Sequence, residues 1–236
     1  MSKAQRQEES YIEKLNLTQR GEQYAQVVNV LKDMERKAAE ENIPIIEKEA
    51  LAIIQAALGM GQVKRILEVG TAIGYSAIQF AGAGDALRHV VTIEKEEHHA
   101  QDARSFVERA GLSNQITIHC TDALDGGFDL EDEEAFDVIF IDAAKGQYKR
   151  FVEKFEPYLR TDGYIISDNI LCRGHALNPD EAPKRMQTMA KRIFTYNQWL
   201  SERTDLNTTF YSVGDGVAIS QKCNRRARGD RHDLLT

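Results

Sequence analysis

Between residues 66 and 166 the chain alternates short apolar runs with longer stretches at helical spacing, and no other feature limits its fold as tightly. The runs lie at 66–69, 90–93, 116–119, 138–141 and 164–166, with helical candidates at 74–83, 96–110 and 146–158. Short strands separated by helices of that length form a parallel sheet, because a parallel connection must cross the sheet. Runs that are nearly continuously apolar are buried on both faces, so helices must cover both sides. Two further runs, 208–211 and 217–219, flank Gly214-Asp215-Gly216, a tight-turn signal that predicts an antiparallel hairpin at the sheet edge. The expectation is an α/β fold built on a seven-stranded sheet.

Helices precede and interrupt this unit. Val27, Leu31, Met34 and Ala38 recur at helical spacing within 22–42. Pro44 is read as opening a second helix with Ile45, Ile46, Leu51, Ile54 and Leu58 inward, stopped by Gly59 and Gly61. A longer helix at 182–203 precedes the hairpin. Residues 1–18 show no period and are expected to fray, 19–221 to form a single domain, and 222–236 to be a basic, disordered tail.

The 236 residues suffice for one sizeable domain but not for two enzymes in tandem. No apolar stretch approaches the roughly 20 residues that cross a bilayer, and the polar N-terminus has no secretory signal pattern. Cys120, Cys172 and Cys223 fit neither a zinc motif nor a disulfide framework, so a reduced, cytoplasmic protein is expected. The net charge of −7 argues against a nucleic-acid-coating protein, but the final fifteen residues carry five basic against two acidic side chains, leaving −10 on the rest.

In such a sheet ligands sit at the carboxyl ends of the strands. Those ends hold Glu68, Glu94, Asp122, Asp142 and the pair Asp168-Asn169. Carboxylates gathered at one edge repel one another unless ligands or cations occupy the site. The first turn, Glu68 to Ser76, has Gly70 and Gly74 where the backbone must turn tightly, but it lacks the dinucleotide glycine spacing. Glu94, 24 residues after Gly70, is placed to accept bonds from ribose hydroxyls, and Asp122 to face an adenine amino group. Ribose and adenine without a phosphate-gripping lysine indicate an adenosine cofactor that is not a polyphosphate. Asp142, Asp168 and Asn169 supply hard oxygen ligands suited to Mg²⁺ or Ca²⁺. Spacing alone leaves Lys145 either a surface lysine or a group facing that site.

Other patterns carry less. His98-His99 reads as solvated, and Ser76 lacks the glycine of a nucleophile elbow. Tyr196 and Trp199 read as core or dimer contacts, and Met186 and Met189 as packing residues. Arg173, Lys184, Arg185, Lys191 and Arg192 follow the candidate metal motif, either as a solvated face or as contacts for RNA phosphates.

The segments ILEVGTAIGYSA, FDVIFIDAAKGQY and DGYIISDNILCRG resemble the three signature blocks of the metal-dependent O-methyltransferases related to catechol and caffeoyl-CoA methyltransferases. The resemblance spans roughly residues 40 to 221. Within that family PIIEKEA, AAKGQY, YNQWL and VGDGVAIS are most similar to the small bacterial tRNA 5-hydroxyuridine methyltransferases. The resemblance implies a Rossmann-like seven-stranded methyltransferase fold, S-adenosylmethionine as donor, Mg²⁺ on Asp142, Asp168 and Asn169, and Lys145 as general base. It places Glu94 on the ribose and Glu68, Gly70, Tyr75 and Ser76 at the methionine end, with Asp122, Ala123 and Asp142 completing the cofactor set. It implies a homodimer that methylates wobble 5-hydroxyuridine in a tRNA anticodon loop. A small catechol-like substrate is the alternative, and a non-catalytic S-adenosylmethionine- or RNA-binding module a second. Where catechol enzymes carry aromatic residues after the first metal aspartate, this chain has Ala143 and Ala144, which widens the site.

Overall fold

The structure, a computed structural model, describes residues 3–82, 88–126, 128–131 and 133–223. Two helices, α1 (Lys3–Glu41) and α2 (Lys48–Met60), lead into β1 (Arg65–Val69), α3 (Tyr75–Gly82), β2 (His89–Glu94), α4 (Glu97–Arg109) and β3 (Ile116–Cys120). The second half runs β4 (Phe136–Ile141), α5 (Tyr148–Phe155), β5 (Leu159–Asp168), α6 (Lys184–Glu202), β6 (Leu206–Tyr211) and β7 (Val217–Lys222). The seven strands form one sheet in the order β3-β2-β1-β4-β5-β7-β6. The first five are parallel, and β7 pairs antiparallel with both β5 and β6. The α/β, seven-stranded expectation holds, down to the terminal hairpin.

Strand alternation divides the core in two. Ile66, Val90, Val138, Phe140 and Ile166 pack on one face with Met34, Leu31, Ile54, Leu58, Ile78 and Phe106. Their neighbours Leu67, Val91, Ile139, Ile141 and Ile165 face the other way, against Phe151, Phe155, Ile193, Tyr196 and Leu200. Each strand is thus apolar on both sides because each side meets a helix layer. Tyr196 is 2% exposed and meets Tyr148 edge-on, a core residue as expected.

Four expectations need correction at the ends of elements. Residues 3–18, expected to fray, are helical: α1 runs from Lys3, and Ala, Gln, Glu, Lys, Arg and Leu make up most of residues 3–20, with no glycine or proline before Gly21. Such residues favour a helix by propensity alone, which leaves no apolar period to read. Pro44 does not open α2, which begins at Lys48 after an extended Glu47 (φ −68°, ψ 142°). β5 starts five residues before the apolar run at 164–166, with a register irregularity against β4 and a left-handed Asp162 (φ 62°). Lys222 is no tail residue but the end of β7, its Nζ donating to the Glu156 and Leu159 carbonyls at 3.0 Å. Residues 224–236, the rest of the expected tail, lie outside the described residues. Among the described residues no helix is long and apolar enough to cross a membrane.

Candidate active site

A cavity of about 1230 Å³ opens at the carboxyl ends of β1, β2, β4 and β5. The turn after β1 forms its base. Gly70 sits at φ +101°, and a Cβ there would collide with the Asp142 carbonyl. Glycine therefore lets β1 and β4 release their chains side by side and leaves both strand ends facing the cavity. Glu94 closes this corner, its two oxygens accepting the N–H groups of Ala72 at 2.8 Å and Glu96 at 2.9 Å. Each oxygen retains a lone pair towards the cavity, which suits a diol ligand. Asp122, Ala123, Tyr75 and Ser76 also line it. Asp122 is exposed, with Oδ1 accepting from the Leu124 N–H at 2.8 Å.

Of the five strand-end acids, four line this cavity and Glu68 does not. Glu68 is fully buried one layer behind the wall and accepts hydrogen bonds from the Ser76 and Thr92 hydroxyls. Burial pushes its pKa up to about 8, against those two bonds, which lower it. Glu68 thus keeps its proton to a higher pH than an exposed carboxyl does, and it holds Ser76 in place.

The second half of the cavity carries the chemistry. Ile141 pairs with Ser167, which sets the following residues, Asp142 and Asp168, side by side on neighbouring strands. Asp168 is 1% exposed. Its Oδ1 accepts from the Asn169 N–H at 2.8 Å, while Oδ2 is buried without a partner among the described residues. Burial, then the Asp142 charge, pushes the Asp168 carboxyl up to about 7. Asp142 is also raised by burial, opposed by the Lys145 ammonium. Lys145 leaves the end of β4 in a single 3₁₀ turn, Lys145–Gln147, and its Nζ donates to Asn169 Oδ1 at 2.6 Å. Asn169 takes a left-handed conformation (φ 55°), one that asparagine tolerates better than most residues. Among the described residues no three His, Cys, Asp or Glu side chains gather as a metal cluster. The set here is instead two carboxylates and an amide oxygen. An orphaned carboxylate oxygen beside a second carboxylate and an amide oxygen fits a hard divalent cation.

The structure adds residues that the sequence pattern did not assign to a site. The extended segment from Pro44 to Glu47 forms one wall, and Met186, Met189, His99, Arg150 and Asp215 line the rest. His99, read as solvated, lies on the cavity wall. Tyr75 donates its phenol to Glu35 of α1 at 2.7 Å, so the N-terminal helix steadies this wall of the cavity. The five basic candidates separate. Arg173 is on the main cavity, and Lys184 and Arg185 are exposed in the first turn of α6. Lys191 and Arg192 line a second cavity that Lys145 also borders.

The sequence profile of the O-methyltransferase family matches residues 21–223. A catechol O-methyltransferase of Niastella koreensis is 34% identical over 166 residues, covering 67% of this chain and 73% of its own. A Staphylococcus aureus structure provisionally named as a caffeoyl-CoA O-methyltransferase superposes with a TM-score of 0.77 at 34% identity, over 90% of this chain and 98% of that one. An O-methyltransferase of Bacillus cereus in complex with SAH gives a TM-score of 0.72 at 27% identity, over 82% and 90%. With the profile covering most of the chain and the strand-end acids gathered at one cavity, the protein is an enzyme belonging to the O-methyltransferase family.

Proposed function

We propose that the enzyme is an S-adenosylmethionine- and Mg²⁺-dependent O-methyltransferase that acts on 5-hydroxyuridine in a tRNA anticodon loop. The observation that carries the chemistry is Lys145 Nζ at 2.6 Å from Asn169 Oδ1, beside the unpartnered Asp168 Oδ2. The glycine turn and Glu94 would hold S-adenosylmethionine, which would supply an electrophilic methyl group, and Asp142, Asp168 and Asn169 would hold a divalent cation that would lower the pKa of a substrate hydroxyl. Lys145 takes the hydroxyl proton as general base. Glu94 and the backbone around Gly70 hold the cofactor, while Asp142 and Asn169 orient the substrate oxygen towards it. Alignment then supplies much of the rate.

The polynucleotide substrate is supported by the small Ala143 and Ala144 side chains beside Asp142, by exposed Arg173 on the cavity, and by exposed Lys184 and Arg185, which precede the cavity-lining Met186 in the chain. The vicinal hydroxyl and carbonyl of 5-hydroxyuridine offer the same pair of oxygens as a catechol. The competing reading, a small catechol-like substrate, is favoured by relatives that bear that name. Methylation of hydroxylated tRNA and of free catechol, each at two salt concentrations, separates the two. Phosphate contacts make the tRNA reaction strongly salt-dependent, and Arg173→Glu with Arg185→Glu slows it. Efficient methylation of catechol, with none of hydroxylated tRNA, excludes the tRNA reading.

A further inference from the structure

The second cavity, of about 270 Å³, lies between the start of α5 and the middle of α6. Lys145, Lys149, Lys191 and Arg192 line it, and among the described residues no acidic one does. Its floor is made by Tyr148 and Tyr196, whose rings meet edge-on at 5.4 Å. Their phenols are engaged elsewhere: Tyr148 donates to the Asp168 carbonyl at 3.0 Å, and Tyr196 shares a hydrogen bond with Ser167. Two of the cations have weak, exposed partners. Lys191 pairs with Asp180, which is 86% exposed, and Lys149 stands 3.7 Å from Glu153. Arg192 has no hydrogen-bond or ion-pair partner among the described residues. Its guanidinium lies against Gly146, where an added Cβ would meet Nη1 at 2.7 Å and Cδ at 3.1 Å. Four cations around one hollow repel one another, on a chain whose net charge is −7.

We propose that this cavity is a phosphate-binding subsite, with Arg192 as the bidentate donor and Lys149 and Lys191 as flanking charges. A planar guanidinium braced by backbone and free of protein acceptors is matched to a phosphate's paired oxygens. Lys145 borders both cavities, so the phosphate sits next to the group that takes the substrate proton. The proposal deepens the tRNA reading and rests on it only for the phosphate's origin. That origin is either an RNA phosphodiester or the phosphates of a small ligand such as coenzyme A.

The test is calorimetric titration of the full-length protein with inorganic pyrophosphate. Wild type should bind saturably, and Lys149→Gln with Arg192→Gln should weaken binding by at least about tenfold. Gly146→Ala keeps every charge but displaces the guanidinium, and should also weaken binding. An unchanged melting temperature verifies that the variants fold. A short stem-loop RNA and coenzyme A are titrated in parallel. A comparable loss with RNA assigns the phosphodiester, and a loss with coenzyme A assigns the small ligand. Binding that is absent in wild type, or equal in wild type and the double variant for every probe, overturns the subsite. None of these probes is methylated, so failure of the tRNA reading leaves the readout intact.

Discussion

The ammonium of Lys145 donates to the amide oxygen of Asn169 at 2.6 Å across 24 residues of chain. One lies just past the end of β4 and the other just past β5, so the sheet itself sets their separation. A side chain placed by backbone pairing needs no rearrangement of the sheet before it acts. Lys145→Ala should lower kcat by roughly a hundredfold while cofactor affinity stays nearly constant. Steady-state kinetics with calorimetry of S-adenosylmethionine binding measures both. An unchanged kcat with a raised KM would make Lys145 a substrate-binding residue.

Removal of divalent cations with EDTA should abolish methyl transfer, and Mg²⁺ should restore it. The carboxyls of Asp142 and Asp168 are both raised by burial, so cations and protons compete for them. Apparent Mg²⁺ affinity should therefore rise as pH climbs through about 7, the Asp168 value, and Asp168→Asn should weaken that dependence, leaving the part that Asp142 contributes. Titration of Mg²⁺ at pH 6 and pH 8 reads the effect directly. Full activity in the chelator would remove the cation from the site.

Glu68 should make the fold weaker in alkali. Its folded pKa is raised from 4.5 to about 8, so between those values the unfolded chain has lost a proton that the folded one keeps. Its contribution to stability is complete below 4.5 and declines as pH rises to 8, at up to about 1.4 kcal/mol per pH unit. Glu68→Gln should flatten that decline. Denaturant titrations of both proteins across the interval compare the slopes, and equal slopes would mean that Glu68 is ionised in its pocket.

Gly70→Ala should cost at least about 2 kcal/mol, combining a left-handed backbone with a collision at the Asp142 carbonyl. Cofactor binding should fall with it, because the same turn forms the cavity base. Thermal melting with and without S-adenosylmethionine checks both halves of the expectation.

The sheet was legible because its strands are apolar on both sides, and a run such as 138–141 has few other uses. Glu94, Asp142, Asp168 and Asn169 were legible for the same reason: they stand where such runs stop, at the ligand edge. What escaped was set by contacts across the chain. Glu68 looks equivalent to Glu94 in sequence, yet the hydroxyls of Ser76 and Thr92 cover it from the cavity. The segment from Pro44 to Glu47 carries a helix-start signal, but its isoleucines flank a ligand cavity, which an extended chain lines better than a helix. Arg192 read in sequence as either a charge on a solvated helix face or a contact for RNA phosphates, and only the fold set it against Gly146.

Glu47, ahead of the sheet, lies against Gly214 in its last hairpin, and both this segment and Asp215 border the cavity. The pocket is thus closed by opposite ends of the domain. Translation delivers them far apart in time, at about 5–20 residues per second. While the polypeptide is still on the ribosome, β5 presents an open edge, because its partner Val217 has yet to emerge. A chain that stops before Gly214 therefore lacks the Asp215 wall of the cavity and leaves the β5 edge without its β7 partner.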